Sequence, residues 1–267
     1  MKIYPFSSFK EDTTAKKIDF NCDLGESFGT YKLGFDEQLM PYITSANIAC
    51  GFHAGDPMWM KHTVSLAEKA GVGIGAHPSL PDLIGFGRRE MKVTPDEVKN
   101  YVTYQIGALQ AFTRSKRLQH IKPHGALYNM GAANEAIARA VAEAVHEIDK
   151  KLILVGLAGS VWLKVGRELG LRIASEVFAD RALNPDGSLV SRDKPGAVIK
   201  DPQKVVAASL KMVTEGKATA INGQEISIRA DTICLHGDTP GAVELARLLR
   251  ESMADAGVEV VPMGTFL

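Results

Sequence analysis

Polar and ionisable side chains recur directly after short apolar segments of this chain. In chain order they are Asn21, Asp23 and Glu26, then His53, His77, Lys122 and His124, then Glu176, Asp180 and Arg181, and finally His236 and Asp238. Histidines and carboxylates brought together can activate a water molecule, with or without a divalent metal ion. A single histidine at such a position can simply bond a neighbouring carbonyl group. Four of the seven histidines follow this pattern, which packing alone explains poorly, so we interpret the set as a candidate active site.

Basic residues add a second kind of chemistry. Lys122 would lie at the inner end of a strand, where it must be paired with a carboxylate, a phosphate or a substrate carbonyl. The tandem Arg88 and Arg89 could anchor a loop through a carboxylate, or clamp a phosphate or a substrate carboxylate. Arg181 and Arg192 have the same two interpretations.

Several other residues have simpler explanations. Asp56 precedes a proline at a helix start and is explained as an N-cap. The histidines expected to be structural or solvated are His62, His120 and His146. Cys22, Cys50 and Cys234 lack C-x-x-C spacing and are expected to be buried thiols, without a disulfide or a zinc ribbon.

Seven apolar segments predict β-strands that alternate with helices. They span Lys17–Cys22, Ser45–Cys50, Gly73–Ala76, Gln119–Lys122, Lys151–Gly156, Arg172–Val177 and Thr232–Leu235. Helix-start signals occur at Asp56-Pro57, Thr94-Pro95, Asp201-Pro202 and Thr239-Pro240. Such alternation predicts an α/β fold with a parallel sheet, closed or nearly closed into a TIM-like (β/α) barrel. The candidate residues would then meet at the C-terminal mouth of the barrel, where active sites lie.

Two segments are too long for tight turns and have no helical pattern. Residues 78–91 follow the third strand, and residues 180–201 follow the sixth, with a turn predicted at Asn184–Gly187. Loops of this length in a compact domain are usually functional. The fifth strand contributes only Ser160, and residues 222–229 predict a small hairpin strand around Gly223.

Composition narrows the class of protein. The 267 residues carry 31 basic and 31 acidic side chains, so the formal net charge is zero. This balance argues against nucleic acid or an anionic membrane surface as the main partner. No apolar run approaches the roughly 20 residues of a membrane span. We expect a cytoplasmic protein with a polar N-terminal extension at residues 1–17 and a single domain at residues 18–267.

Several familiar motifs are absent from the sequence. It contains no G-x-x-x-x-G-K-[ST] phosphate loop, no H-E-x-x-H and no G-x-S-x-G. The segment GVGIG at residues 71–75 is not preceded by a strand and therefore fails the dinucleotide-binding fingerprint. Nucleotide binding is not indicated by a motif, and a serine hydrolase has no support.

The strand-end segments together resemble the LamB/YcsF family. The matching blocks are IDFNCDLGESFG, ANIACGFHAGDP, GAHPSLPDLIGFGRREM, IKPHGALYN, EVFADRALNPDGSLVSR and ICLHGDTPGAV. The resemblance runs from Ile18 to about residue 260, with the blocks in the family's order and spacing. Leu183 departs from the family, which usually has an aromatic residue there, and this puts one pocket contact in doubt.

The resemblance implies a seven-stranded barrel similar to the glycoside hydrolase and deacetylase barrels. It implies cleavage of 5-oxo-L-proline to L-glutamate with ATP as co-substrate, performed by an A subunit together with 5-oxoprolinase subunits B and C. A homo-oligomer is compatible with it. Two other functions stay open: a metal-dependent amidohydrolase acting alone on a lactam or an acylated sugar, and a binding subunit without chemistry of its own.

For the reaction that the resemblance implies, we hypothesise the following catalytic roles. Asp23, with His53 or His124, would position and deprotonate the attacking water. Lys122 and His77 would stabilise the developing oxyanion or the phosphoryl oxygens. By analogy with related deacetylases, a divalent metal ion such as Mg²⁺ would be held by Asp23, His53 and His124.

The remaining roles concern the leaving group and substrate binding. Glu176 or His236 would protonate the leaving ring nitrogen, and Arg88 and Arg89 would bind phosphate or the substrate carboxylate. The other binding candidates are Asn21, Glu26, Asp180, Arg181, Arg192 and Asp238.

Overall fold

The computed structural model describes residues 15–236 and 241–267. The strands are β1 (Lys17–Leu24), β2 (Ser45–Ala49), β3 (Gly73–His77), β4 (His120–Ile121), β5 (Ile153–Leu157), β6 (Arg172–Phe178), β7 (Lys217–Thr219), β8 (Glu225–Ser227), β9 (Thr232–His236) and β10 (Glu259–Val260). The helices are α1 (Asp36–Leu39), α2 (Pro57–Ala70), α3 (Pro95–Phe112), α4 (Gly125–Ala133), α5 (Glu135–Ile148), α6 (Val161–Glu168), α7 (Pro202–Glu215) and α8 (Ala242–Asp255).

Seven parallel strands close into a barrel in the described part of the chain. The order is β1, β2, β3, β4, β5, β6 and β9, and β1 pairs with β9 to close the ring. The predicted seven-stranded barrel is therefore confirmed, and each strand begins and ends within two residues of its predicted bounds. Strand β4 is the shortest of the seven, but the amides of Gln119 and Lys122, on either side of it, still bond to carbonyls of β3.

Strand β1 shows how the sequence builds both faces of the barrel wall. Ile18, Phe20 and Cys22 belong to the apolar core between strands and helices. The alternate residues point to the opposite face, the barrel interior. On β1 these are Asp19, Asn21 and Asp23, all polar, so the strand is buried on both faces although only one face is apolar.

The predicted capping signals begin the helices as expected where they are described. The Asp56 carboxylate accepts hydrogen bonds from the amides of Met58 and Trp59 at the start of α2. Thr94 and Glu97 form the capping box of α3. Helix α8 begins at Ala242, and the signal predicted at Thr239-Pro240 lies outside the described residues.

The two long connections contain neither a helix nor a strand. In the second of them the amide of Gly187 donates to the carbonyl of Asn184 at 2.9 Å, which is the predicted turn. The predicted hairpin is formed by β7 and β8, which pair antiparallel around Gly223. No helix within the described residues is long and apolar enough to cross a membrane.

Candidate active site

The carboxyl ends of the barrel strands surround a cavity of about 670 Å³. Asp23 near the end of β1, His77 at the end of β3, and Lys122 and His124 after β4 line this cavity. These four side chains come from segments far apart in the sequence, and they are buried or nearly so. Together they form the floor of the cavity.

The Lys122 ammonium lies at the centre of the floor and is 2% exposed. Its Nζ is 2.9 Å from Asp23 Oδ1 and 2.9 Å from Glu176 Oε1, and it donates to Asn21 Oδ1 at 3.1 Å. Burial lowers the pKa of Lys122, but Asp23, Cys234 and Glu176 outweigh burial and hold that pKa well above its ordinary value. Two carboxylates therefore supply the pairing that a buried strand-end lysine requires.

Two residues that the sequence did not indicate also contact this group. The Tyr128 hydroxyl donates to Glu176 Oε2 at 2.6 Å, and burial together with Glu176 raises the pKa of Tyr128. Lys122 Nζ donates to Cys234 Sγ at 3.0 Å, and burial raises the pKa of this thiol. Cys234 is buried and free, as predicted, but its contact was not foreseen. The only signal for Tyr128 is its spacing, one helical turn after His124.

Two histidines face each other through unprotonated nitrogens. His77 Nδ1 lies 2.7 Å from the carbonyl oxygen of Lys122, so Nδ1 carries the proton and donates it. His124 Nε2 lies 2.9 Å from the carbonyl oxygen of Phe86 and donates in the same way. The remaining nitrogens, His77 Nε2 and His124 Nδ1, are 2.9 Å apart. When both rings are neutral, each of these two nitrogens presents a lone pair to the other, and the lone pairs repel. The contact therefore requires a positively charged species between the two nitrogens.

A third histidine and a second carboxylate complete this cluster. The His53 ring stacks on the His124 ring with centroids 3.7 Å apart. His53 Nε2 lies 3.2 Å from Glu26 Oε1, and its buried Nδ1 has no hydrogen-bond partner. Burial lowers the pKa of His124 to about 3, and burial followed by His124 lowers the pKa of His53. Burial therefore disfavours a proton on His53 or His124.

These residues fit a divalent metal ion. Glu26, His53, His77 and His124 each offer a ligand atom, and the four atoms lie within 4.8 Å of one another. Imidazole nitrogens and a carboxylate are ligands that Zn²⁺ and related ions accept. The set differs from the predicted one, because Glu26 stands in the place of Asp23 and His77 is added.

The loop after β3 holds the histidine cluster from outside the barrel. Phe86 has a φ of 55°, in the left-handed region that bulky residues rarely adopt, and its carbonyl bonds to His124. At Gly87 a Cβ atom would lie 2.7 Å from His53 Cβ and 2.8 Å from His124 Cδ2. Glycine is therefore required for this loop to approach the histidines.

Arginines line one side of the cavity. Arg88, Arg181 and Arg192 lie there, together with Ser160 at the start of α6. Arg181 donates to the carbonyl of Val190 at 2.6 Å, and burial and then Arg192 lower its pKa. Gathered positive charge of this kind favours an anionic ligand.

The neighbouring Arg89 has a different place. It donates to the buried carboxylate of Asp82, and these hydrogen bonds lower the pKa of Asp82 to about 2. Arg89 thus anchors the loop that carries Arg88, and it is not among the residues that line the cavity. Leu183 is buried and bridges to Leu189, and Leu189 rather than Leu183 lines the cavity.

The other candidates lie at different depths. Asn21, Glu26 and Glu176 are buried and do not line the cavity. Asp180 precedes Arg181, and its carbonyl accepts from the amide of Ile199. The backbone of His236 ends β9, but its side chain and the whole of Asp238 lie outside the described part of the chain.

Comparison with known proteins places this chain among close relatives. A model of the LamB/YcsF family matches residues 18–267. A curated protein of Thermococcus onnurineus, named as the A subunit of 5-oxoprolinase, is 57% identical, with 94% of this chain and 99% of that protein covered. The protein of the same name from Pyrococcus furiosus is 56% identical with the same coverage.

Solved structures agree on the architecture. A lactam utilization protein from Thermus thermophilus superimposes with a TM-score of 0.87 at 47% identity, covering 92% of this chain and 99% of that one. A structure of T48 deacetylase with substrate superimposes with a TM-score of 0.50 at 16% identity, covering 96% of this chain and 92% of that one. Similarity at that identity shows a shared fold only.

Proposed function

The chain belongs to the LamB/YcsF family, and we propose that it is the A subunit of an ATP-dependent 5-oxoprolinase. The reaction converts 5-oxo-L-proline, ATP and two waters into L-glutamate, ADP and phosphate. Two relatives of the chain that match over nearly its whole length are named as A subunits of 5-oxoprolinase. The observation that carries the proposal is the Lys122 ammonium between the carboxylates of Asp23 and Glu176, beneath a cavity lined by arginines.

The chemistry explains why ATP is needed. The lactam of 5-oxoproline is an unstrained amide, and its carbonyl is a weak electrophile. Phosphorylation of the amide oxygen makes the ring carbon a good electrophile. One water then adds to this carbon and the ring nitrogen leaves, which gives an acyl phosphate, and the second water hydrolyses the acyl phosphate to glutamate and phosphate. The sequence has no phosphate loop, so we assign most of the ATP handling to partner subunits B and C.

Within this chain, we assign the water-activating role to Asp23. Its carboxylate reaches the cavity, and Lys122 and Asn47 bond to its Oδ1. Its Oδ2 lies 3.3 Å from His77 Nε2, so that oxygen and the imidazole face the same point. A water held there would lose its proton to the Asp23 carboxylate.

Lys122 then stabilises the charge that develops on the carbonyl or phosphoryl oxygen. Glu176 lies beneath the floor and acts through its ion pair with Lys122 and its hydrogen bond from Tyr128. Tyr128 lines the cavity, and we assign to it the transfer of a proton to the leaving ring nitrogen. Arg88 lines the same cavity and would bind the phosphoryl group or the substrate carboxylate.

A divalent metal ion forms a further part of the proposal. Glu26, His53, His77 and His124 would hold it. When bound, such an ion polarises an oxygen ligand and lowers the pKa of bound water. Metal content of the purified chain, and the visible spectrum of the Co²⁺-loaded chain, test this directly. We expect His77→Ala to remove the Co²⁺ spectrum and His62→Ala, on the exposed face of α2, to leave it unchanged.

Glutamate release from 5-oxoproline tests the function as a whole. The purified chain is assayed with and without ATP, and with and without subunits B and C. We expect glutamate only in the complete mixture. Release by this chain with ATP alone would place a nucleotide site in the barrel mouth, and no release with competent partners would overturn the proposal.

The histidine cluster favours one alternative, a metal-dependent amidohydrolase that acts alone on a lactam or an acylated sugar. This function requires no ATP and no partner subunit. It predicts turnover by the isolated chain that a chelator abolishes and that added Zn²⁺ or Co²⁺ restores. The oxoprolinase proposal predicts that the isolated chain releases no glutamate under any of these conditions.

A further inference from the structure

Buried polar residues beneath the cavity floor have no role in the chemistry assigned so far. Interiors of such barrels are usually filled by bulky apolar side chains. Here Asp19, Asn47 and His120 are fully buried inside the ring of strands. His120 was expected to be structural or solvated, yet a buried imidazole must have partners. Its partners form a hydrogen-bond chain whose direction can be assigned.

The donor and the acceptor of each hydrogen bond can be assigned by starting at Asp19, at the end of the barrel away from the cavity. An ionised carboxylate can only accept hydrogen bonds. Ser45 and Thr232 each donate their hydroxyl proton to it at 2.5 Å. Each hydroxyl has a single proton, so its oxygen must accept from the next residue. Ser45 Oγ accepts from Gln119 Nε2 at 2.8 Å, which identifies this atom as the amide nitrogen.

The next hydrogen bond assigns the protonated nitrogen of His120. Gln119 Nε2 also lies 3.2 Å from His120 Nδ1, so Nδ1 accepts and the ring proton is on Nε2. His120 Nε2 therefore donates to Asn47 Oδ1, at 2.7 Å. Burial lowers the pKa of His120 to about 3, which keeps the ring neutral with a single proton.

This bond orients the Asn47 amide toward the catalytic group. With Oδ1 occupied by His120, Asn47 Nδ2 donates to Asp23 Oδ1 at 2.8 Å and to Asn21 Oδ1 at 2.7 Å. These are the two oxygens to which Lys122 also donates. If the amide of Asn47 turned over, its oxygen would face both of these acceptors.

Glycines of β3 make room for this chain of contacts. At Gly75 a Cβ atom would lie 2.1 Å from His120 Nε2, and at Gly73 it would lie 2.3 Å from Gln119 Nε2. These glycines belong to the GVGIG segment that fails the dinucleotide fingerprint. Gly73 and Gly75 are explained by the side chains of Gln119 and His120, which occupy the space that a Cβ atom would need.

We propose that His120 is a positioning residue for Asp23 and Lys122, acting through the amide of Asn47. His120 does not line the cavity. Its neutral, Nε2-protonated ring sets the orientation of Asn47, and Asn47 holds the oxygens that receive the Lys122 ammonium. The catalytic consequence rests on the proposed function, whereas the tautomer and the orientation of Asn47 do not.

Steady-state kinetics of the complete three-subunit mixture test the catalytic consequence. His120→Leu removes the donor to Asn47, and His120→Gln can replace it. We expect kcat to fall about 10- to 100-fold in His120→Leu with KM for 5-oxoproline nearly unchanged, and most of the loss to be recovered in His120→Gln. The control is His146→Leu, in the outer helix α5, which should retain wild-type kinetics.

The ring tautomer is measured on the wild-type chain, independently of activity. Long-range ¹H–¹⁵N spectra should show His120 protonated at Nε2 only. A ring protonated at Nδ1, or a charged ring at neutral pH, would overturn the proposal even if His120→Leu failed to fold. An active wild-type mixture with unchanged kcat in folded His120→Leu would also overturn it. An inactive wild-type mixture would instead count against the proposed function, and the spectra would still decide the positioning.

Discussion

Strands β1 and β5 lie on different sides of the same barrel and fill its interior by different rules. By alternation, β1 directs Asp19, Asn21 and Asp23 inward, and every one of them is hydrogen bonded. The corresponding side chains of β5 are Ile153, Val155 and Leu157, which pack in two small apolar clusters separate from the core around the helices.

The difference separates stability from catalysis within one set of strands. Apolar side chains such as those of β5 contribute through buried volume, and substitutions of similar shape are tolerated. The polar side chains of β1 contribute through the direction of their hydrogen bonds, and a residue of equal size does not replace them. Substitutions on β1 should therefore affect turnover first, and substitutions on β5 should affect the free energy of unfolding first.

The strongest test of this comparison is Asp23→Asn on β1. The two side chains have nearly the same shape, so the fold should persist, but the amide cannot accept a proton from water. We expect kcat of the complete mixture to fall by about 10³-fold, with the fold retained although Lys122 loses one of its two carboxylate partners. Asp56→Asn is the matched control, because asparagine also caps helices well and Asp56 lies outside the cavity. Near-wild-type turnover in Asp23→Asn would remove Asp23 from the mechanism.

The polar side of the barrel also depends on the loop outside it, and Gly87→Ala tests this dependence. The new Cβ would lie within 2.8 Å of His53 and His124 at a φ of 65°. We expect displacement of the histidine pair, at least about 10-fold lower kcat and about 2 kcal/mol or more of lost stability. Gly223→Ala is the control, since Gly223 has a φ of 87° but no atom within 4 Å of its Cβ, and it lies outside the cavity. It should show backbone strain of about 1–2 kcal/mol and full activity. Equal losses of kcat and stability in both variants would show that the loop does not position the histidines.

The sequence predicts the strands and the residues that meet at their ends, but it does not predict the hydrogen bonds between side chains inside the barrel. Apolar runs and proline-marked N-caps are local signals, and they predicted all seven strands and the meeting of Asp23, His77, Lys122 and His124. The contacts of Asn47, Tyr128 and Cys234 were missed, because hydrogen bonds across a barrel have no sequence period. The roles of Arg88 and Arg89 could not be separated either, because they depend on a loop conformation in which Phe86 has positive φ.

On the apolar side, Ile153→Ala should have the opposite pattern to Asp23→Asn. Ile153 is fully buried beside Val155, Ala174 and Met263, so its truncation leaves a cavity. We expect a loss of about 2–5 kcal/mol in the free energy of unfolding, with kcat unchanged at a temperature where the variant is folded. Ile153→Val is the graded control and should lose about 0.5–1.5 kcal/mol. A large fall in kcat in folded Ile153→Ala would show that the two sides of the barrel are not separable.

The smallest expected effect is a change in the pH dependence of stability, and it distinguishes two buried groups inside the barrel, Asp19 and His120. Burial raises the pKa of Asp19 from 3.8 to about 6, so between pH 4 and 6 the folded chain binds the extra proton and stability falls as pH rises. Burial lowers the pKa of His120 from 6.5 to about 3, so in the same window the unfolded chain binds the extra proton and stability rises with pH. The two slopes, each about 1.4 kcal/mol per pH unit, cancel in the wild-type chain.

Removing either group should therefore expose the pH dependence of stability that the remaining group causes. Between pH 6 and 4, acidification should destabilise Asp19→Asn relative to wild type and stabilise His120→Gln relative to wild type, each by about 1.4 kcal/mol per unit. Urea unfolding at pH 4, 5 and 6 measures both differences, and the other histidines cancel because all three chains contain them. Parallel profiles for the three chains would mean that neither group is held in the buried state that the hydrogen-bond chain requires. Opposite slopes would show that burial raises the pKa of Asp19 and lowers the pKa of His120, as expected for the two buried groups that fix the direction of the hydrogen-bond chain.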